Sequence, residues 1–193
     1  TEIYTLSLHD ALPISYAVVK NVGEAFCTSY HREYGLEYTI FRFFNTYGPK
    51  QSPDFVISKF LKAALQNQPI TIYGDGQQSR TFCYIDDNVE AALATFYQNR
   101  FVNDVVNIGN DEETSVLELA QIIIAITGSA SEIVFQPPLK EGDMNRRQPN
   151  LDRMRQLLTR PHLTLQEGLH HILSSPIFWL LNDIEPATAK VNK

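Results

Sequence analysis

The amino-acid sequence predicts an α/β fold in which helices cover a partly parallel sheet. Helical and strand patterns alternate along most of the 193 residues, and short loops join them. Two segments also carry the Ser/Thr-x-x-Glu pattern that opens a helix. Alternation of this kind favours a layered α/β arrangement over an all-helical or an all-β one.

The first predicted elements are a helix and a strand. Large side chains recur at helical intervals over residues 16–34, and Gly35 can end this helix in a left-handed cap. The aromatic and β-branched run 37–43 predicts a strand, which the loop 45–49 ends. A helix and a strand joined by a short glycine turn form half of a β-α-β unit.

The rest of the chain continues the alternation. The predicted elements are a helix over 55–66, strands over 70–73 and 81–85, a helix reaching about residue 98, a strand over 105–108, a helix over 116–127, a strand over 133–135 and a late helix from 165. Asp86 or Asp87 is expected to cap the third of the helices. Ser115 with Glu118, and Thr164 with Glu167, form the capping boxes of the last two.

Composition excludes several classes of function. Asp and Glu number 22 against 16 Lys and Arg, which gives a net charge of −6 and argues against a nucleic-acid partner. Cys27 and Cys83 lie far apart, without the spacing of a disulfide framework or a zinc site. No apolar run approaches the ~20 residues that span a bilayer, and no secretory signal pattern is present. The protein is therefore expected to be soluble and cytoplasmic, with no membrane partner.

The first candidate for chemistry is the pair Tyr16 and Lys20. Four residues apart on a helix, the phenol and the ammonium lie on one face, where the cation favours the ionised phenol and the tyrosine can act as a general base. Taken alone, this spacing is more typical of a solvated surface pair.

The second candidate is the stretch from Phe43 to Pro49, at the carboxyl end of a predicted strand, where open α/β sheets bind their ligands. Asn45 can hydrogen-bond a ligand there through its oxygen or its nitrogen. The stretch alone is equally compatible with a turn in which Asn45 bonds its own backbone.

The third candidate, residues 73–84, combines an aromatic residue, a glycine-rich turn and an arginine. The ring of Tyr73 could pack on a base, and the guanidinium of Arg80 matches phosphate oxygens in two-point contact. By itself, the stretch is better explained by an ordinary hairpin with a surface arginine. Arg146 and Arg147 form a further candidate anion clamp.

The order of these motifs resembles a known family. Tyr-x-x-x-Lys at 16–20, FFNTYGP at 43–49, ITIYGDGQQSRTFCYIDD at 70–87, VVNIGN at 105–110 and a stretch with Pro-Pro and Arg-Arg-x-Pro follow one another. This order resembles the extended short-chain dehydrogenase/reductases of the NAD-dependent epimerase/dehydratase family, over about residues 15–173. The 73–87 motif and the Arg-Arg-x-Pro stretch are most similar to UDP-glucuronate decarboxylases.

The resemblance implies a Rossmann-type doubly wound fold, of which this chain holds the C-terminal part plus the smaller α/β substrate-binding domain. It implies that Tyr16 is the catalytic base, that Lys20 assists it and holds the nicotinamide ribose of NAD, and that Phe43 and Phe44 lie beside the nicotinamide. It assigns the UDP-sugar to Asn45, Tyr73, Gln78, Arg80 and Arg147. Asp86 and Asp87 are implied to be scaffold.

The implied reaction starts with oxidation of the sugar at carbon 4, with Tyr16 taking the hydroxyl proton. A 4-keto sugar with a carboxylate at carbon 6 is a β-keto acid, so carbon dioxide leaves readily and reduction gives UDP-xylose. Alternatives are a nucleotide-sugar 4-epimerase, a 4,6-dehydratase, or a non-catalytic sugar-nucleotide-binding or dimerisation module. The helix over 16–34 implies a homodimer, because members of this family commonly pair there.

The sequence departs from the family in lacking its glycine-rich NAD-binding turn and the acidic residue that follows it. Residues 1–14 show no clean period and resemble the translation of a sequencing adapter, so we interpret them as a non-native segment. Residues 15–50 are then a remnant of the NAD-binding domain, and 51–175 mainly the sugar-nucleotide domain, with strand 105–108 returning to the Rossmann sheet. Residues 176–193 form a tail. We expect this chain alone to bind NAD poorly and to show no turnover.

Overall fold

The computed structural model describes residues 8–138, 149–182 and 184, with side chains described from residue 16 onward. The helices are α1 (Leu8–Tyr34), α2 (Val56–Leu65), α3 (Ile85–Tyr97), α4 (Val116–Thr127), α5 (Asp152–Arg155), α6 (Leu165–Ser174) and α7 (Pro176–Asn182). The strands are β1 (Thr39–Phe43), β2 (Thr46–Tyr47), β3 (Ile70–Tyr73), β4 (Ser79–Thr81), β5 (Cys83–Tyr84), β6 (Asp104–Ile108), β7 (Glu113–Ser115) and β8 (Ile133–Gln136). Helices and strands alternate, as the sequence predicts.

The first helix is longer than predicted, because it begins at Leu8 and not at Tyr16. It ends where expected: Gly35 has φ 68° and its N–H donates to the carbonyl of His31 at 2.9 Å. The predicted boundary at residue 14 between a non-native segment and the protein therefore falls inside a continuous helix, and it stays a prediction.

The strands pair mostly in parallel. In the described residues β1 pairs with β6, β2 with β5 and β3 with β8 in parallel, whereas β4 and β7 are antiparallel. Each parallel pair needs a crossover, and helices such as α2, α3 and α4 lie in those connections. The carboxyl ends of β1 and β6 consequently lie at one edge, with Phe43 opposite Ile108.

Two groups of buried side chains form the core. The larger one joins α2, β3, α4, α6 and α7 and includes Ile57, Ile72, Ile123 and Leu169. The smaller one joins β6, α3 and the segment around α5: Cys83, Ala91, Val106, Ile108, Leu151, Met154 and Leu157. None of the described side chains of α1, from residue 16 onward, belongs to either group, and the larger ones are mostly exposed.

Capping chemistry fixes several helix ends. Both predicted capping boxes are formed, with Ser115 and Glu118 at α4 and with Thr164 and Glu167 at α6. The predicted cap of α3 is wrong: Tyr84 is the N-cap residue, while Asp86 and Asp87 lie in the first turn. Acidic side chains in a first helical turn still stabilise the positive end of the helix dipole. No helix among the described residues is both long and apolar enough to cross a membrane.

Candidate active site

Tyr16 and Lys20 lie together on α1, as their spacing predicts. The Lys20 Nζ lies 5.3 Å from the centre of the Tyr16 ring, the distance of a cation–π contact. The Tyr16 side chain is 66 % exposed, so its hydroxyl is open to an incoming ligand. The geometry provides a phenol with an adjacent cation; the catalytic role assigned to the pair stays a prediction.

An ion pair sets the position of α1 against β1. The Arg42 Nε and Nη2 donate to the two carboxylate oxygens of Glu24 at 2.7 and 2.6 Å, and this two-point contact lowers the pKa of Glu24. Nearer the turn, the Thr28 Oγ1 lies 3.4 Å from the Tyr38 hydroxyl. The earlier helix residue, Glu24, thus contacts the later residue Arg42, whereas Thr28 lies beside Tyr38. The helix and the strand therefore run antiparallel.

This arrangement brings Tyr16 to the end of β1 where Asn45 lies. Tyr16 precedes Glu24 by a helical distance of about 12 Å, and Asn45 follows Arg42 by an extended distance of about 10 Å. Because the two elements are antiparallel, both displacements point toward the carboxyl edge of the sheet. Tyr16, the predicted base, and Asn45, which is predicted to bind the sugar nucleotide, therefore lie at the same edge of the sheet.

Phe43 and Phe44 differ in their surroundings. Phe43, the last residue of β1, is exposed and presents its ring at the carboxyl edge. Phe44 continues the strand pairing, because its N–H donates to the Ile108 carbonyl at 2.8 Å. A Cβ at position 109 would lie 3.0 Å from the Phe44 Cβ, so Gly109 allows this segment to pass close to the end of β6. Phe43 is the more exposed of the two rings, and the contact of both with a cofactor stays a prediction.

Asn45 has a backbone conformation that few non-glycine residues adopt. Its φ is 41°, in the left-handed region that asparagine tolerates better than most residues. Its side-chain Nδ2 donates to the Thr81 carbonyl at 2.9 Å, and its own carbonyl accepts from the Cys83 N–H at 3.2 Å. The side chain therefore crosses to the next strands and does not bond its own backbone. Within the described part of the chain, its Oδ1 and second amide N–H have no hydrogen-bond partner.

Tyr73 and Gln78 are brought together near the turn 74–76. The Gln78 Nε2 donates to the Tyr73 carbonyl at 3.1 Å, and the Tyr73 ring is largely exposed. The alternative of an ordinary hairpin is wrong, because β3 pairs with β8 and β4 with β7. Gly74 and Gly76, at φ 77° and 75°, turn the chain between the two strands.

Arg80 lies next to the residue that Asn45 contacts. Its Nη1 donates to the Ser79 carbonyl at 2.6 Å, and its neighbour Thr81 accepts from Asn45. Four of the five predicted substrate residues are thus connected through β3, β4 and the segment after β1. The fifth, Arg147, lies outside the described residues.

A cavity beside Asn45 is not indicated by the sequence patterns. It has a volume of about 510 Å³ and is lined by residues 46–52 together with Phe55 and Ile85. Its walls are largely apolar and include one cation, Lys50. The Gln51 Nε2 donates to the Thr46 carbonyl at 2.7 Å and fixes this loop. Residues 46–49 of the lining belong to the FFNTYGP motif and residues 50–52 follow it directly, and that adjacency is the signal that could have indicated the cavity.

Asp87 has the scaffold role that the resemblance implied. Its buried carboxylate lies 2.7 Å from the Arg160 Nη1 and accepts from the Leu163 N–H at 3.1 Å. One turn further along α3, Glu90 accepts from the Thr159 N–H and hydroxyl, both at 2.7 Å. These contacts attach the segment before α6 to the helix that follows β5.

Parallel strands with polar side chains beyond their carboxyl ends define the class of nucleotide-binding α/β proteins. Residues 4–109 match the NAD dependent epimerase/dehydratase family, and the chain belongs to this family. The family is NAD-dependent, and solved relatives contain NAD. The predicted fold class, the C-terminal part of a Rossmann-type fold with a smaller α/β domain, is confirmed.

Three relatives illustrate the similarity. The chain is 37% identical over 164 residues to UDP-N-acetyl-alpha-D-glucosaminuronate decarboxylase from Bacillus cytotoxicus, which covers 80% of this chain and 50% of that protein. UDP-glucose 4-epimerase from Thermotoga maritima, solved with UDP-glucose, has a TM-score of 0.77 and 32% identity over 88% of this chain and 54% of that one. UDP-glucuronic acid 4-epimerase from Bacillus cereus, solved with UDP-glucuronic acid and NAD, has a TM-score of 0.72 and 31% identity over 81% and 52%.

The chain spans about half the length of the curated relatives it matches. Their names include both epimerases and decarboxylases. The chain therefore belongs to a family of NAD-dependent proteins whose named members include epimerases and decarboxylases of nucleotide sugars.

Proposed function

We propose that this chain is the sugar-nucleotide-binding part of a longer NAD-dependent enzyme that converts UDP-glucuronate to UDP-xylose through a 4-keto intermediate. The observation that carries the proposal is the exposed Tyr16 with Lys20 beside its ring, at the same edge as Asn45. A solvated surface pair would have no reason to lie at the ligand-binding edge of a parallel sheet.

The substrate would extend from Tyr16 toward the turn 74–76. Asn45 offers an acceptor and a donor to the sugar diphosphate, Tyr73 an exposed ring to the uracil, and Gln78 and Arg80 donors to ribose and phosphate. Arg147 is assigned to the diphosphate by the family resemblance alone. In this arrangement the sugar lies nearest the phenol, which the chemistry at carbon 4 requires.

The described residues fit one end of NAD. Lys20 and the exposed Phe43 ring lie on the two elements, α1 and β1, that meet at the carboxyl edge, where a nicotinamide ribose and its ring could be held. The sequence contains no glycine-rich turn for the pyrophosphate. We therefore expect the 193-residue chain to bind NAD poorly and to lack turnover.

In the longer enzyme, Tyr16 would take the proton of the carbon-4 hydroxyl, and Lys20 would stabilise the phenolate. NAD, which Lys20 and Phe43 would help to hold, would supply the hydride exchange at carbon 4 when bound. The protein supplies position and charge, because a β-keto acid loses carbon dioxide without a further catalytic group.

A 4-epimerase is the second candidate. The resemblance to solved epimerases that bind UDP-glucose and UDP-glucuronic acid favours it. The two reactions share the oxidation step. They differ in what happens before reduction: in decarboxylation the keto sugar loses its carboxylate, and in epimerisation it rotates so that its other face is reduced. A non-catalytic module remains the third candidate, and the retention of both Tyr16 and Lys20 argues against it.

Pairing with a second copy through α1 is part of the same proposal. Val19, Phe26 and Tyr30 are exposed on this helix at 67 %, 60 % and 51 %, and such a stripe is suited to packing against another helix. A cytoplasmic location is supported by the two free cysteines, of which Cys83 is buried.

Product analysis tests the proposal. The gene region upstream of the codon for Ser15 would be sequenced, and the longer protein incubated with NAD and UDP-glucuronate. UDP-xylose with released carbon dioxide supports decarboxylation, the carbon-4 epimer supports epimerisation, and binding without conversion supports the module.

Tyr16→Phe should reduce kcat by at least about 100-fold, because the general base is lost. Tyr30→Phe, which removes an exposed hydroxyl from the same helix, is the matched control and should keep full activity. Equal effects of the two substitutions would contradict the role of Tyr16. Conversion of UDP-glucuronate by the 193-residue chain would contradict the expectation that it has no turnover.

A further inference from the structure

Asn88 links β2, β5 and α3 at the back of the candidate site. It is 3 % exposed, and its Nδ2 donates to the Thr46 Oγ1 at 2.5 Å. Its Oδ1 accepts from the Cys83 Sγ at 2.8 Å. Burial raises the pKa of Cys83, so the sulfur keeps its proton and remains the donor in this contact. Both polar ends of the Asn88 side chain are therefore occupied.

Asn45 is held by the end of β4 and the start of β5. The Cys83 N–H donates to the Asn45 carbonyl, the Asn45 amide donates to the Thr81 carbonyl, and Thr46 is the next residue in the chain. A non-glycine residue at φ 41° is in a sparsely populated conformation, which persists only where its surroundings hold it. Contacts on both sides of Asn45 provide that restraint.

We infer that Asn88 and Thr46 are positioning residues for Asn45, fixing the chain after β1 so that the Asn45 carboxamide meets the sugar nucleotide in one orientation. This inference rests on the proposed function for the identity of the ligand. In this role the two residues act through the backbone between Thr46 and Asn45.

A pair of substitutions at Thr46 isolates the hydrogen bond. Thr46→Val keeps the shape of the side chain and removes the acceptor, whereas Thr46→Ser keeps the hydroxyl. Thr95→Val is the matched control, since Thr95 is a buried threonine on α3 whose hydroxyl bonds the Ala91 carbonyl at 2.9 Å, away from Asn45.

The first measurement is the solvent-exchange rate of the Asn45 side-chain amide protons by NMR, which needs no ligand. Loss of one hydrogen bond should raise the rate about fivefold in Thr46→Val. The rate should stay at the wild-type value in Thr46→Ser and Thr95→Val. An unchanged rate in Thr46→Val overturns the inference.

The second measurement compares two ligands by calorimetry. In Thr46→Val the Kd for UDP-glucuronate should rise about fivefold, while the Kd for UMP, which lacks the sugar and the second phosphate, stays unchanged. A purely structural role would weaken both ligands together, and that result overturns the inference. Asn88→Ala should match Thr46→Val, and the double variant should add nothing further.

Failure of the proposed function has a different signature. If the wild-type chain binds neither UDP-glucuronate nor UMP, the sugar-nucleotide assignment is wrong. The exchange rates of the Asn45 amide protons still test whether Thr46 restrains Asn45, because that measurement needs no ligand. A fivefold increase confined to Thr46→Val supports the restraint, and no increase refutes it.

Discussion

A glycine in α6 provides the sharpest test of the packing behind the site. Tyr47, in the strand that follows Asn45, is 1 % exposed, and its ring lies against the backbone of α6. A Cβ at position 168 would lie 2.0 Å from the Tyr47 hydroxyl oxygen and 2.7 Å from its Cζ. Gly168→Ala should therefore destabilise the protein although alanine is the better helix former.

The magnitude follows from two opposing effects. Replacing a glycine by alanine in a helix stabilises it by about 1 kcal/mol. Against this, the ring would have to move by more than 1 Å to reach ordinary contact at 3.4 Å, and overpacking of a core costs about 1–3 kcal/mol or more. Tyr47 is held edge-on by Phe82 and Tyr84, with ring centres at 6.3 and 5.4 Å, so it has little freedom to move.

Gly23→Ala is the matched control, because Gly23 lies within α1 and an added Cβ there meets no atom within 4 Å. Urea unfolding followed by circular dichroism should show Gly23→Ala stabilised by about 0.5–1 kcal/mol. Gly168→Ala should be destabilised by up to about 2 kcal/mol, which is the overpacking cost less the gain in helix propensity.

Tyr47→Phe removes the nearest atom, so in the double variant with Gly168→Ala the loss should be smaller than the sum of the two single losses by about 1 kcal/mol. Equal stabilities of Gly23→Ala and Gly168→Ala would refute the reasoning. Strictly additive losses would show that Tyr47 is not the obstacle.

Three further predictions concern charge and exposed surface. Hydrogen bonds from Thr159 lower the pKa of Glu90, so the contribution of its carboxylate to stability is present at neutral pH and is lost as the pH falls through the folded-state pKa. Between about pH 5 and 3 the free energy of unfolding should therefore fall less in Glu90→Gln than in the wild type, and equal slopes would contradict this. Arg42→Lys keeps the charge but loses the two-point contact with Glu24, so amide exchange in α1 should accelerate while α4 is unchanged. Exposed apolar side chains on α1 should cause concentration-dependent association and binding of a hydrophobic dye, and the pair Val19→Glu with Phe26→Glu should reduce both; a monomeric wild type would refute this.

Much of the fold follows from local chemistry and could be predicted. The strand Ile70–Tyr73 has the predicted bounds, and both capping boxes form. The same holds for the left-handed Gly128 at the end of α4. These features depend on residues within one turn or one strand, which a sequence pattern contains in full.

The features that were missed depend on distant partners. The strands β2 and β7 have two and three residues and exist through pairing with segments far away in sequence. The predicted strand over 81–85 is divided between the end of β4 and β5, because these pair with different partners, β7 and β2. Asp87 was expected at a helix cap, but it turns inward because Arg160 and the Leu163 N–H satisfy its carboxylate. No periodicity in the sequence encodes such a pairing.

The candidate site divides in the same way. The shared face of Tyr16 and Lys20 follows from their spacing on one helix, and the structure shows it. The restraint of Asn45 by Thr81 depends on how β2 and β5 pair, so the sequence left its orientation open. Chemistry carried by one helix is predictable, whereas chemistry shared between strands needs the fold.

Two contacts connect the candidate site with α6. Tyr47, in the strand after Asn45, packs against the backbone of α6 at Gly168, and Asp87, in the helix after β5, forms an ion pair with Arg160 just before α6. Both connections end on α6 or on the segment that leads into it. Because the position of Asn45 depends on strands that α6 supports, loss of α6 packing should disturb ligand binding before it unfolds α1, whose described side chains lie outside both groups of core residues.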